Sequence, residues 1–360
     1  MGRFCEGALG ALATVSGLDV DAFAVTWRRR RRLPPLVPSG VDVRQRAMPA
    51  RPLHLAWSHL GGPAVEWFVG AADVVHGTNF VVPPTRRAAR VVTVHDLTTV
   101  RYPELCDRST LGFPRMVRLA IADGAWVHTP SQFVADEVVA EFGVDPGRVR
   151  VVYHGVPSDH GERPSSTVAL APLPSGTSRY IFAVGTIEPR KDYPGLVRAF
   201  SLVADAHPDV ALVIAGVDGW GAQAFHDALE ASPWRDRVVR LGYVDNDALA
   251  RWLAGAAVLA FPSVYEGFGF PPLEAMAAGV PVVASAAGAV PEVVGDGAVL
   301  VPPRDVDALA SALVRVLGDT EARAALVDKG RCRAAQFTWE ACGAGLAELY
   351  ADAAGAAGAR

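Results

Sequence analysis

The chain has 360 residues, 51% of them hydrophobic, and a net charge of −4. That length predicts two domains with apolar content enough for two buried cores, and the charge gives no reason to expect a nucleic-acid partner. Its four cysteines, Cys5, Cys106, Cys332 and Cys342, lack CxxC spacing and are too sparse for a secreted disulfide framework, so a reducing cytoplasm is the expected setting. No apolar run approaches the ~20 residues that span a bilayer. The N-terminus carries Glu6 and no cationic stretch ahead of an apolar core, which makes a poor signal peptide.

Short β-rich runs alternate with amphipathic stretches. A helix is expected over 4–14, then strands over 20–27, 73–76, 91–95, 126–129 and 149–153, with helices over 111–123 and 132–142. Ser131 stands ready as the N-cap of the last of these. The five arginines at 28–32 read first as a solvated loop, and alternatively as a contact for an anionic acceptor or membrane headgroups. Residues 160–178 break the rhythm with Pro164, Pro172, Pro174, Gly176 and several serines, as an interdomain linker does. After it come strands over 180–184, 210–215, 238–241, 258–261, 282–285 and 299–301. Helices are expected over 193–206, 246–254, 272–278, 306–317, 321–335 and 339–354. Such alternation predicts parallel sheets with helices on both faces. The expected domains are 1–160, a linker 161–178, 179–338, and a final helix 339–360. Ligands of open parallel sheets sit at the carboxyl ends of the strands.

The most informative stretch runs from Phe261 to Ser285. A strand ends at Phe261, a loop with Gly267 and Gly269 follows, and a helix opens at Pro271-Pro272 and closes at Gly279. Glycines let backbone approach a ligand, and the unpaired amides of a helix start hold a diphosphate. Glu266 falls in the loop and Glu274 in the first helical turn. Carboxylates accept hydrogen bonds from vicinal hydroxyls, so the pair suits a ribose and a hexose.

Glu266 and Glu274 inside Glu-Gly-Phe-Gly-Phe-Pro-Pro-Leu-Glu-Ala closely resemble the EX7E motif of family 4 retaining glycosyltransferases, and the resemblance extends over nearly the whole chain. It implies an α/β protein of the GT-B type, two Rossmann-like domains facing across a cleft, with 339–360 crossing back to the first. It also implies that Glu266 lies beside the transferred sugar, that Glu274 binds the donor ribose, and that Gly267, Phe268, Gly269 and Phe270 bind the donor through loop amides. A second match is Phe182-Ala-Val-Gly-Thr-Ile-Glu-Pro-Arg-Lys-Asp192, a strand, a turn at Gly185, and two cations. Arg190, bidentate, and Lys191, a point charge, suit the negative charge on a leaving nucleotide diphosphate. Many relatives carry arginine just after the glycine; Thr186 stands there instead. This form looks most like the mannosyltransferase-like branch, which favours GDP-mannose as donor and a UDP-hexose second. Thr93-Val-His-Asp-Leu-Thr98 resembles the family's His-Asp element, with His95 toward the donor sugar and Asp96 orienting its loop or helping the acceptor site; Glu104 reads as structural. Val152-Tyr-His-Gly-Val156 resembles the close of the first domain, with His154 in place of asparagine. The stretches 214–220 and 241–245 resemble strand ends around the nucleobase, with Tyr243 and Val244 as base contacts or core residues.

The reaction implied is hexose transfer with retention, by a front-face route in which the leaving phosphate helps deprotonate the incoming hydroxyl. Neither a cofactor nor a metal is expected: Asp245-Asn-Asp247 matches the base-binding turn rather than a metal-binding Asp-X-Asp. The partners implied are the donor and a glycan, lipid-linked or small-molecule acceptor, with a peripheral footing on the inner membrane face as the further reading. Other activities on this fold, a nicotinamide enzyme, or a non-catalytic binder using the arginine run are the rival readings; no G-x-G-x-x-G follows a first strand. A last expectation concerns the N-terminus. Family members open with a strand, a glycine-rich loop and a helix. Residues 1–4 match that loop, with Gly2 toward the donor phosphates, so the N-terminal domain is expected to lack its first, central strand.

Overall fold

The structure, a computed structural model, describes residues 2–27, 37–44, 46–157 and 172–358. The arginine run and residues 158–171 lie outside the described residues. The chain divides into two compact units, Met1–Gly155 with Phe337–Arg360, and Val156–Gln336.

The first unit holds β1 (Asp21–Phe23), β2 (Asp42–Arg44), β3 (Val74–Gly77), β4 (Ala89–Thr93), β5 (Trp126–Thr129) and β6 (Val149–Val151). They form a four-stranded parallel sheet, β3-β4-β5-β6, and a separate two-stranded parallel sheet, β1-β2. Among the described residues the chain enters this unit through a helix, Gly2–Leu12. Val91, Val92 and Val127 are fully buried, as expected of strands covered on both faces. Ser131 does cap its helix, its hydroxyl accepting from the Val134 amide.

Two elements depart from expectation. The expected strand over 20–27 contracts to β1, and its neighbour β2 is Asp-Val-Arg, too short and too charged to stand out from a loop. The helix Ala50–Leu60 carries Pro52 at its third residue. Proline is tolerated in a first turn, where the missing N–H has no partner to lose, and Leu53 and Trp57 anchor the helix on Met48. At the other end of the chain, the helix Trp339–Gly358 packs on Gly2–Leu12. The contact depends on glycine: a Cβ at Gly7 would overlap the Trp339 indole, and one at Gly343 would press on Ala11.

The second unit is a six-stranded parallel sheet of β7 (Arg179–Val184), β8 (Val210–Ala215), β9 (Val238–Gly242), β10 (Val258–Phe261), β11 (Val282–Ser285) and β12 (Val299–Val301). Their order is β12-β11-β10-β7-β8-β9. Every residue of β8 and β10 is buried, which is why these apolar runs read as strands from sequence alone. The helices Tyr193–Ala206 and Val306–Gly318 cover the sheet with Leu196, Phe200, Val203, Leu309 and Leu313. From β7 the chain moves outward through β8 and β9, then returns to place β10 on β7's other side. The loops after β7 and β10 therefore diverge, and the crevice between them is where open α/β sheets bind ligands.

Candidate active site

The loop after β7 begins at Gly185, whose φ of 142° favours glycine. A Cβ there would stand 3.3 Å from the Lys191 stem and from the Tyr193 hydroxyl. The loop then forms a single 3-10 turn, Pro189–Lys191, and Asp192 caps the next helix by accepting from the Gly195 amide. The loop after β10 runs from Pro262 to Gly269, which has φ 119° and leads into the helix Phe270–Ala277. Backbone ties the two loops: the Val264 amide donates to the Arg190 carbonyl at 2.8 Å. The Arg190 guanidinium donates to the Tyr265 carbonyl at 3.0 Å.

Charged side chains lock this junction. Lys191 Nζ lies 2.6 Å from Glu266 Oε1, and Arg190 lies 2.7 Å from Glu266 Oε2. Arg190 also reaches Glu188 at 2.8 Å. The four groups thus alternate in sign, Glu188–Arg190–Glu266–Lys191, and cancel overall. Burial pushes the Glu266 carboxyl up, but Arg190 and Lys191, with hydrogen bonds from Lys191 and Ser263, pull it down to about 2. Burial lowers the Lys191 ammonium, against the opposing pull of Glu266. The ammonium also sits 5.0 Å from the centre of the Phe261 ring, a cation–π contact.

The structure brings Gly185, Arg190, Lys191 and Glu266 to one junction, with Gly267, Phe268, Gly269 and Phe270 continuing the same loop into the helix. Gly267, Phe268 and Gly269 are buried and Phe270 half-buried, and the Phe268 ring packs edge-on against Phe270 at 5.3 Å. Glu274 requires a correction. The helix starts at Phe270, two residues earlier than expected, because Gly269 takes the N-cap position. Glu274 is therefore fifth in the helix rather than in its first turn, and it is buried.

Beside the junction the strand ends are bare. The Gly216 amide donates to the Gly242 carbonyl at 2.8 Å, and a Cβ on Gly216 would overlap the Gly185 carbonyl. Glycines 185, 216 and 242 therefore leave a shelf without side chains at the ends of β7, β8 and β9. Tyr243, 83% exposed, stands at its edge, while Val244 is half-buried. That exposure removes core packing as an account of Tyr243. Asp245 caps the helix Asn246–Ala254.

His95 and Gly2 belong to the other unit. His95 Nε2 donates to the Thr78 carbonyl at 2.9 Å; burial lowers its pKa, with the Thr78 bond opposing. The ring is thus neutral, with Nδ1 bearing the free lone pair. Asp96 orients the loop as expected, accepting from the Thr98 amide at 2.9 Å. Gly2 is a correction: it begins a helix instead of lying in a loop, and a Cβ there would meet nothing within 4 Å. Phe4, buried among His76, His95, His128 and His154, pins that first turn.

Three contributors escape a sequence reading. Tyr193 donates to the Gly185 carbonyl at 3.3 Å, and Phe261 lies under Lys191. Gly288, φ 59°, lets the next loop pass so close that a Cβ would strike the Glu266 backbone, while the Ala289 amide donates to the Glu266 carbonyl at 2.8 Å. The only signal for these is a glycine just after β11; the tyrosine and phenylalanine read as core.

Comparison with known proteins follows the same division. The family model described as "Glycosyltransferase Family 4" matches residues 2–160, and "Glycosyl transferases group 1" matches 171–333. The chain is 31% identical to the O-antigen chain mannosyltransferase B of Escherichia coli, covering 75% of this chain and 71% of that protein. It is also 31% identical to the MMP alpha-(1->4)-mannosyltransferase of Mycolicibacterium hassiacum, covering 79% and 71%. Among solved structures it resembles sucrose-phosphate synthase from Thermosynechococcus elongatus, with TM-score 0.73, 22% identity, and 96% and 91% of the two chains covered. Anabaena Alr3699/HepE in complex with UDP and glucose is similar at TM-score 0.70, 20% identity, and 98% and 96% coverage.

Proposed function

Because the chain belongs to the family 4 glycosyltransferases and has their GT-B fold, we propose that it transfers a hexose from a nucleotide-diphosphate sugar to a hydroxyl acceptor, with retention and without a metal ion. The observation that carries this is the alternating chain Glu188–Arg190–Glu266–Lys191 at the crevice between β7 and β10. Bond cleavage at the anomeric carbon leaves negative charge on the diphosphate. Arg190 and Lys191 supply fixed positive charge there, in a partly dry site where it acts strongly. The loop amides from Gly267 to Phe270 add neutral donors. Glu266, ionised, is the acceptor for sugar hydroxyls, and Glu274 for those of the ribose. Tyr243 and Val244, beside the glycine shelf, are the base contacts, and His95 is the first unit's residue for the donor sugar. The protein's contribution is then mainly positioning and charge stabilisation.

Mannose carried by GDP is the first choice of donor, supported by the two mannosyltransferases among the relatives; a UDP-hexose is the second. The acceptor is a glycan, a lipid-linked sugar or a small molecule. The test is competition among GDP, UDP and dTDP in titration calorimetry, followed by transfer assays with and without EDTA. Tightest binding of GDP and transfer unaffected by EDTA are expected. A preference for UDP or dTDP overturns the GDP assignment; activity lost with EDTA and restored by Mg²⁺ or Mn²⁺ overturns metal independence. Free or epimerised sugar formed without acceptor overturns transfer.

A further inference from the structure

Large apolar side chains left in water are unevenly distributed in this chain. In the first unit, Leu60 is 81% exposed, Leu55 63% and Trp67 61%. All three belong to one helical hairpin, the helices Ala50–Leu60 and Glu66–Val69. The longer helix buries Leu53 and Trp57, so the opposite face presents Arg51, Leu55 and His59 at four-residue spacing. Leu60, three residues past Trp57, stands on the other side of the helix from Leu55, at the turn that leads to Trp67.

The charge around these residues is one-sided. From Arg46 to Val65 the sequence has two arginines, two histidines and no carboxylate, within a chain of net charge −4. The first acid beyond, Glu66, directs one oxygen at the amides of Arg86, Arg87 and Ala88, at 2.7, 3.1 and 3.4 Å. Arginines also reach in from outside the hairpin: Arg46 donates to the Trp67 carbonyl at 2.9 Å and Arg115 to the Ser58 carbonyl at 3.4 Å. Both are exposed, so each brings positive charge to the hairpin's rim.

We propose that the tip of this hairpin is a docking surface for an anionic lipid bilayer, with Leu60 and Trp67 entering the interface and Arg46 and Arg115 meeting the headgroup phosphates. Leucine and tryptophan suit the boundary between headgroup and acyl chain, and a basic rim adds attraction to acidic lipid. No described helix is long and apolar enough to cross a membrane. This surface shares no residue with the junction between β7 and β10.

The test is flotation of the full chain with vesicles of phosphatidylcholine alone and with 30% phosphatidylglycerol, at low and high salt. Binding is expected only to the acidic vesicles, with loss at high salt. Arg115→Ala should weaken it about fivefold. Leu60→Ser with Trp67→Ser should weaken it tenfold or more, with an unchanged Tm and circular dichroism spectrum. Leu202→Ser, an exposed leucine of the second unit, should bind as the parent does. Equal binding to neutral vesicles, or parental binding by the Leu60/Trp67 variant, overturns the proposal. So does binding that survives in that variant and disappears when arginines 28–32 are replaced by serine. A chain that ignores all vesicles but changes from dimer to monomer on the double substitution would make this face a contact between copies instead.

Discussion

At the scale of single residues, Glu266 occupies both cations that a diphosphate would need. Its folded pKa of about 2 lies below the ordinary carboxylate value. The stability it contributes is therefore complete above about pH 4.5 and lost only as pH falls toward 2. In the working range it is an ion, and a diphosphate bound as proposed competes with it for Arg190 and Lys191. Glu266→Gln should then bind a free nucleoside diphosphate more tightly, by roughly tenfold for one removed competing charge, while transfer falls at least a hundredfold. Lys191→Ala should weaken both. Calorimetry with GDP and UDP, beside initial rates, separates the two effects. Weaker diphosphate binding in Glu266→Gln would show that the carboxylate assists the diphosphate instead of competing with it.

At the scale of elements, the first unit is crossed by one directed chain of hydrogen bonds. Tyr350 reaches His76 Nδ1 at 2.7 Å, His76 Nε2 reaches Thr93 at 2.7 Å, Thr93 reaches His128 Nδ1 at 2.9 Å, and His128 Nε2 reaches the Val152 carbonyl at 3.0 Å. A carbonyl only accepts, so it fixes every proton: His128 and His76 are both Nε2–H tautomers, and Thr93 and Tyr350 both donate onward. β3, β4, β5, the residue after β6 and the final helix are joined in this way. The chain requires neutral imidazoles, and burial holds His76 well below its ordinary value and His128 at about 4. A histidine lowered in the fold stabilises it fully above about pH 6.5, and the effect is lost as pH falls toward 4, up to about 3 kcal/mol for His128 alone. Urea titration at pH 7 and pH 5 should show about 2 kcal/mol of that loss from His128. Thr93→Val strands a donor and an acceptor, and should cost about 2–4 kcal/mol at pH 7. Had it no effect, the chain would be incidental to stability. None of this was legible beforehand, since a histidine at a strand end reads alike whether its partners are strands or solvent. β8 and β10 were legible to the residue because burial on both faces leaves an uninterrupted apolar run. β2 and the helix Ala50–Leu60 were not, because three residues carry no period and Pro52 resembles a breaker. In the site, Glu266 and Lys191 stood out by spacing, whereas Tyr193 and Gly288 act through packing between loops distant in sequence.

At the scale of the whole molecule, the second unit is an insertion in the first. The chain leaves the first unit at Gly155 and re-enters at Phe337, and these crossings touch: a Cβ on Gly155 would strike the backbone of Thr338 and Trp339. Residues 156–336 expressed alone should fold cooperatively, since their sheet and core are complete. Residues 1–155 alone should not, because Gly7, Ala11 and His76 lose Trp339, Gly343 and Tyr350; adding a peptide of residues 337–360 should restore helical circular dichroism and a melting transition. A cooperative melt of 1–155 without the peptide would contradict this. The same connectivity sets a timetable for synthesis. At ~5–20 residues per second, the ribosome needs roughly 10–40 s to make the inserted segment. For that interval the first unit, although made first, waits with the Phe4 helix and the histidine row uncovered, while the later half of the protein finishes before it.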